Sequence, residues 1–123
     1  MQSFLSVALG GALGAAGRYG LSLWLARGAA WPWATFTINV LGSFLIGLLV
    51  GWTAARDSHE PWRLFLGVGV LGGFTTFSAY SLETAQMIER NDLAGAASYS
   101  LGSVLAGLTA CFLGLMIARR VLA

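Results

Sequence analysis

Residues 72–81 read GGFTTFSAYS. The stretch lies inside an uncharged run from Leu64 to Leu82. A run of this kind reads as a membrane helix, which needs about 20 mostly apolar residues. Yet it carries two adjacent glycines and four Ser and Thr hydroxyls. As one helix over 63–89 it would be about 40 Å long at about 1.5 Å per residue. The hydrocarbon core it must cross is only about 30 Å thick. The Gly-Gly pair followed by Thr-Thr is where the sequence predicts an interruption. A broken helix frees N–H and C=O groups at membrane depth, which is tolerated only where protein buries them or they line a cavity. Carbonyls at such a break can hold a cation, and N–H or hydroxyl groups can donate to an anion. The segment is therefore expected to break because its backbone serves as a ligand.

The rest of the chain fits a membrane setting. Of 123 residues, 57% are hydrophobic and 10% charged, and the mean hydropathy is +0.75. A soluble domain carries roughly a quarter charged residues. Length alone suggests one domain. The seven basic residues are all arginines, scattered near span ends, and the formal net charge is +2. That pattern gives no basic patch for nucleic acid. The single cysteine, Cys111, cannot close an intramolecular disulfide and reads as a small side chain in an apolar run. The N-terminal apolar run has no basic residue before it, so it is read as a first span rather than a signal peptide.

Four spans are expected, at about 3–26, 33–55, 62–89 and 93–118, joined by short connections. With the N-terminus inside, the inner side holds Arg56, Arg63, Arg119 and Arg120. The outer side holds Arg27 and Arg90, with Arg18 within reach. The positive-inside bias is thus nearly balanced, which permits insertion in both orientations. Gly10 and Gly14 form a GxxxG in the first span, and Gly47 and Gly51 form one in the second. Such spacing lets helices approach closely in lipid.

Polar residues also fall in stripes. Thr35, Asn39 and Ser43 continue into Gly47 and Gly51 at intervals of four, sharing a slowly drifting face. Tyr99, Ser103, Gly107 and Cys111 do the same in the fourth span. A buried Asn is costly unless it is hydrogen-bonded. The stripes read either as helix–helix glue, at about 1 kcal/mol per bond, or as the lining of a polar path. Titratable groups in the spans are few, chiefly Arg18 and Glu83, and no nucleophile–base pair or metal-ligand cluster is evident, which argues against an enzyme. His59, in the loop sequence DSHE, reads as solvated. Amide and hydroxyl donors suit a small, strongly hydrated anion, and a Phe ring is positive at its edge.

Taken together, GGALGAAGRY at 10–19, TFTINVLGSFLIG at 35–47, GGFTTFS at 72–78 and YSLGSVLAGL at 99–108 resemble the Fluc/CrcB family of small fluoride channels over nearly the whole chain. The resemblance implies an all-α membrane protein of four transmembrane helices with a break in the third. It further implies an antiparallel, dual-topology homodimer in the bacterial inner membrane, exporting fluoride passively. It also implies a structural sodium ion held by the Gly72 and Thr75 carbonyls. The pore residues it implies are Asn39, Phe77, Thr76, Tyr99 and Ser103, with Arg18 near the entrance and Glu83 beyond the third-helix pore segment. Tyr80 stands where the family has a second phenylalanine. Gly107 and Cys111 stand where it often has Ser or Thr. A small multidrug-type proton-coupled exporter is the competing reading; it needs a membrane carboxylate, usually in the first span, which has none here.

Overall fold

The computed structural model describes residues 1–54, 56 and 60–122. His59 and the expected end of the second span at residue 55 lie outside the described residues. Every described element is helical. Helix α1 spans Gln2–Leu25 and α2 spans Trp33–Ala54. Helix α3 covers 60–74, α4 spans Phe77–Glu89, and α5 covers 93–122. Among the described residues, three runs are long and apolar enough to cross a membrane: Trp33–Ala54, Arg63–Glu89 and Leu93–Val121. Helix α1 has the length, at 24 residues, but its glycines, serines and Arg18 dilute its hydropathy.

The helices pack in parallel pairs, α1 with α3 and α2 with α5, and glycines set both contacts. A β-carbon at Gly10 would strike the Phe65 carbonyl oxygen, and one at Gly14 would strike that of Val70. From the facing side, a β-carbon on Gly69 would lie 2.9 Å from the Gly10 Cα. In the second pair, a β-carbon at Gly47 would run into the Cys111 carbonyl oxygen, and one at Gly51 would come within 2.6 Å of the Ala118 Cβ. Both GxxxG motifs therefore mark backbone contacts that admit only hydrogen. Apolar burial drives little association in lipid, so close van der Waals packing of this kind supplies the adhesion.

The break falls two residues later than the glycine pair. Gly72 and Gly73 are helical, and α3 ends at Phe74. Thr75 (φ −81°, ψ 157°) and Thr76 (φ −150°, ψ 117°) are extended. Gly73 is small for a different reason: a β-carbon there would meet the Gly11 carbonyl oxygen at 2.5 Å. The β-branched threonines favour extended backbone, and Thr76 Oγ1 accepts from the Ala79 N–H at 3.2 Å, capping α4. Upstream, Arg63–Leu71 winds as a π-helix, closed where the Gly72 N–H donates to the Gly67 carbonyl. Single π turns inside α-helices recur at functional sites; this one runs straight to the break. Helices α4 and α5 join through a tight turn in which Asn91 takes φ 60° and Asp92 Oδ1 accepts from the Gly95 N–H at 2.9 Å.

Candidate functional site

Of the two extended residues of the break, Thr75 donates back to the Leu71 carbonyl through its N–H and Oγ1, and Thr76 is held from α2. Asn39 Nδ2 donates to the Thr76 carbonyl at 2.9 Å, and the Thr76 N–H donates to Asn39 Oδ1 at 2.8 Å. An isolated strand segment in lipid would leave both groups unpaired, at several kcal/mol each. One amide side chain satisfies both.

That exchange and the Thr76 cap strip helical partners from the carbonyls of Gly72 and Thr75. In a continuous helix the Thr76 N–H would donate to the Gly72 carbonyl, four residues back; here Asn39 takes it. The Ala79 N–H would likewise donate to the Thr75 carbonyl, and here Thr76 Oγ1 takes it. Gly72 and Thr75 line one cleft of about 380 Å³, together with Asn39, Ser43, Thr76 and Phe77. Two carbonyls released from the helix ladder beside one cleft fit a hard cation, which prefers oxygen ligands. Phe77 also borders this cleft and is 78% exposed.

A second cavity, of about 360 Å³, lies on the other side of Thr76. Its lining includes Arg18, Ser22, Thr35, Thr76 and Glu83. Because α4 restarts at Phe77, Glu83 sits at the middle of that thirteen-residue helix. Thr35 Oγ1 donates to Glu83 Oε1 at 2.8 Å, and Tyr99 OH donates to Oε2 at 2.6 Å. Tyr99 is fully buried against Met87 and Ala96, with Trp31 and Tyr80 packed on it. Tyr80 stacks on Tyr99 with centroids 5.4 Å apart, and Phe77 tilts against Tyr80 at 5.4 Å. The Tyr80 hydroxyl donates to the Ser100 carbonyl at 3.0 Å.

The two polar stripes face each other in register. Thr35 and Tyr99 meet on Glu83. A β-carbon on Gly107 would lie 3.5 Å from Ser43 Oγ, and Gly47 abuts Cys111. The same offset puts Ser103 at the level of Asn39. Ser103 Oγ is buried with no hydrogen-bond partner among the described residues, and a buried unpaired hydroxyl calls for a water or ligand. The sequence-predicted residues thus fall in three groups: Asn39, Gly72, Thr75, Thr76 and Phe77 at the break; Arg18 and Glu83 at the second cavity, with Tyr99 bonded to Glu83 and Tyr80 stacked on Tyr99; and Ser103 between α2 and α5. Thr35 belongs with Glu83; its signal was its place one turn before Asn39 on the stripe.

A family model described as CrcB-like protein, Camphor Resistance (CrcB), matches residues 5–115. A protein of Phenylobacterium zucineum named fluoride-specific ion channel FluC is 56% identical, with all of each chain covered. One of Caulobacter vibrioides with the same name is 51% identical over the whole of both chains. A third of that name, from Thermus thermophilus, is 47% identical over 93% of this chain and 91% of its own.

Proposed function

Because the chain belongs to the CrcB-like family, we propose that it is a fluoride channel, letting fluoride leave the cell passively and so relieving its toxicity. The observation that carries this is the full-length similarity to proteins named fluoride-specific ion channels. The chain is a multi-pass membrane protein, and the bacterial inner membrane is the setting that suits export from the cytoplasm. A small multidrug-type exporter is the weaker reading: Glu83 has both oxygens taken by hydroxyl donors, which leaves little for proton exchange against a drug.

The donors along these cavities suit the anion. Fluoride enters by the Arg18 cavity, where the guanidinium offsets the Glu83 charge. It passes Thr76, which borders both cavities, and reaches the level of Asn39 and Ser103. The Asn39 amide has a second N–H beyond the one given to Thr76, and Ser103 brings a buried hydroxyl without a partner among the described residues. Tyr99 shapes the path while holding Glu83, and the Phe77 and Tyr80 ring edges face the ion as it moves. A pore of hydroxyls, amides and ring edges binds the ion through many weak contacts, strong enough to admit it and weak enough to release it. Transport of this kind makes and breaks no covalent bond, so the protein is not an enzyme.

Sodium is the structural ion in this reading, with the Gly72 and Thr75 carbonyls as its ligands from this chain. A second copy, inserted the opposite way up, covers the open cleft and the exposed Phe77, giving an antiparallel dual-topology homodimer of four-span subunits with α1 as the first span. The near-balance of arginines and the exposure of Phe77 support that arrangement. Fluoride efflux from liposomes holding the purified protein, with chloride as control, tests the channel reading.

A further inference from the structure

We infer that the Tyr80 hydroxyl is a tether that positions the ring, and not a donor to the transported ion. The inference rests on the fluoride-channel reading and concerns the position at which this chain carries Tyr in place of the family's phenylalanine. A phenol has one proton. In Tyr80 that proton goes to the Ser100 carbonyl on α5 at 3.0 Å. What the oxygen then offers an anion is lone pairs, which repel it. The ring, not the hydroxyl, is the part of Tyr80 that can serve a fluoride path.

The surroundings show what the tether fixes. One face of the Tyr80 ring lies on Tyr99, with centroids 5.4 Å apart and planes 30° apart. Tyr99 is itself buried and bonded to Glu83, so the stack has an immobile base. Phe77 lies 5.4 Å away on a 37° tilt. The hydroxyl anchors the far end of the Tyr80 ring. It therefore opposes a swing about χ1, which would carry the ring out of the stack and away from Phe77. It leaves rotation about the ring's own long axis free. Three neighbouring residues of α5 are gripped in the same way: Ser98 by the Trp31 indole N–H at 3.4 Å, Tyr99 by Glu83, and Ser100 by Tyr80. Tyr80 is thus a positioning residue that joins α4 to α5 through its hydroxyl and presents its ring edge.

The test combines two variants of the full-length protein in liposomes with a spectroscopic probe of the hydroxyl. Y80F keeps the ring and loses the tether; its fluoride efflux should fall about threefold, the effect of one ordinary hydrogen bond on the ring's placement. Y80L removes the ring edge and should lose roughly tenfold or more. Ultraviolet resonance Raman of tyrosine reports whether the phenol donates or accepts. The wild-type minus Y80F spectrum should read Tyr80 as a donor and stay unchanged when sodium fluoride is added. A Y80F that loses as much efflux as Y80L, or that fails to assemble, would overturn the inference. So would a Tyr80 band that shifts on adding fluoride to the wild type. A wild type that passes no fluoride sinks the channel reading instead, while the Raman band still decides whether the hydroxyl is tied to protein.

Discussion

Asn39 and Thr76 exchange two hydrogen bonds across the gap between α2 and the break, at 2.9 and 2.8 Å. The amide reads both the carbonyl and the N–H of one residue. Aspartate can keep the contact to the N–H, but it loses the donor and sets a negative charge against the Thr76 carbonyl. Asn39→Asp should therefore cost about 1–3 kcal/mol, read as a lower thermal unfolding midpoint in detergent. It should also abolish fluoride efflux, because the charge stands in an anion's path. Normal flux in a folded Asn39→Asp protein would remove Asn39 from the pore.

Gly10 and Gly14 abut backbone carbonyls of α3, where no side chain can yield by changing rotamer. Gly10→Ala and Gly14→Ala should each lower stability by about 1–3 kcal/mol, as overpacking does. Gly20 sits on the same helix with nothing within 4 Å of an added β-carbon. Gly20→Ala should not destabilise the protein, and the lost helical glycine should favour it by up to about 1 kcal/mol. Thermal midpoints of the three variants check this; equal effects at all three positions would count against the α1–α3 contact.

The break was partly legible in the sequence and partly not. The polar residues and the excess length announced an interruption within GGFTTFSAYS, and the four-residue stripes marked the polar faces of the second and fourth spans without deciding between helix contact and path lining. What pattern alone could not give is the division of labour among those residues. Gly73 is small because Gly11 passes close by, while Thr75 and Thr76 carry the extended backbone. That distinction depends on a neighbour 62 positions away in the chain, which no local propensity encodes. The mid-helix place of Glu83 follows from where α4 restarts, and the Tyr80–Ser100 bond depends on the crossing of α4 and α5. The π-helical winding of Arg63–Leu71 had no local signal: glycines at 67 and 69 occur as readily in an ordinary membrane helix.

The released carbonyls of Gly72 and Thr75 make sodium a testable ligand. A cation that binds only the folded assembly stabilises it by mass action, by about 2.7 kcal/mol at a hundredfold excess over its dissociation constant. Exhaustive exchange of sodium for choline should lower the thermal midpoint, and sodium should restore it. A midpoint indifferent to the exchange would reduce the carbonyls to ordinary members of the cleft wall.

Orientation follows from the arginines. Arg119 and Arg120 on the last turns of α5 do not outweigh those at the other connections. A reporter fused to the C-terminus should therefore be found on both sides of the membrane in comparable amounts. A single orientation would argue against the dual-topology arrangement without touching the fold of the chain.

Fluoride efflux from liposomes, followed with a fluoride electrode beside a parallel chloride assay, tests the central claim most directly. The pore proposed around Asn39, Thr76 and Ser103 predicts that wild-type protein empties fluoride-loaded vesicles while chloride-loaded vesicles hold their content. Vesicles that retain fluoride, or that release chloride as readily, would contradict it.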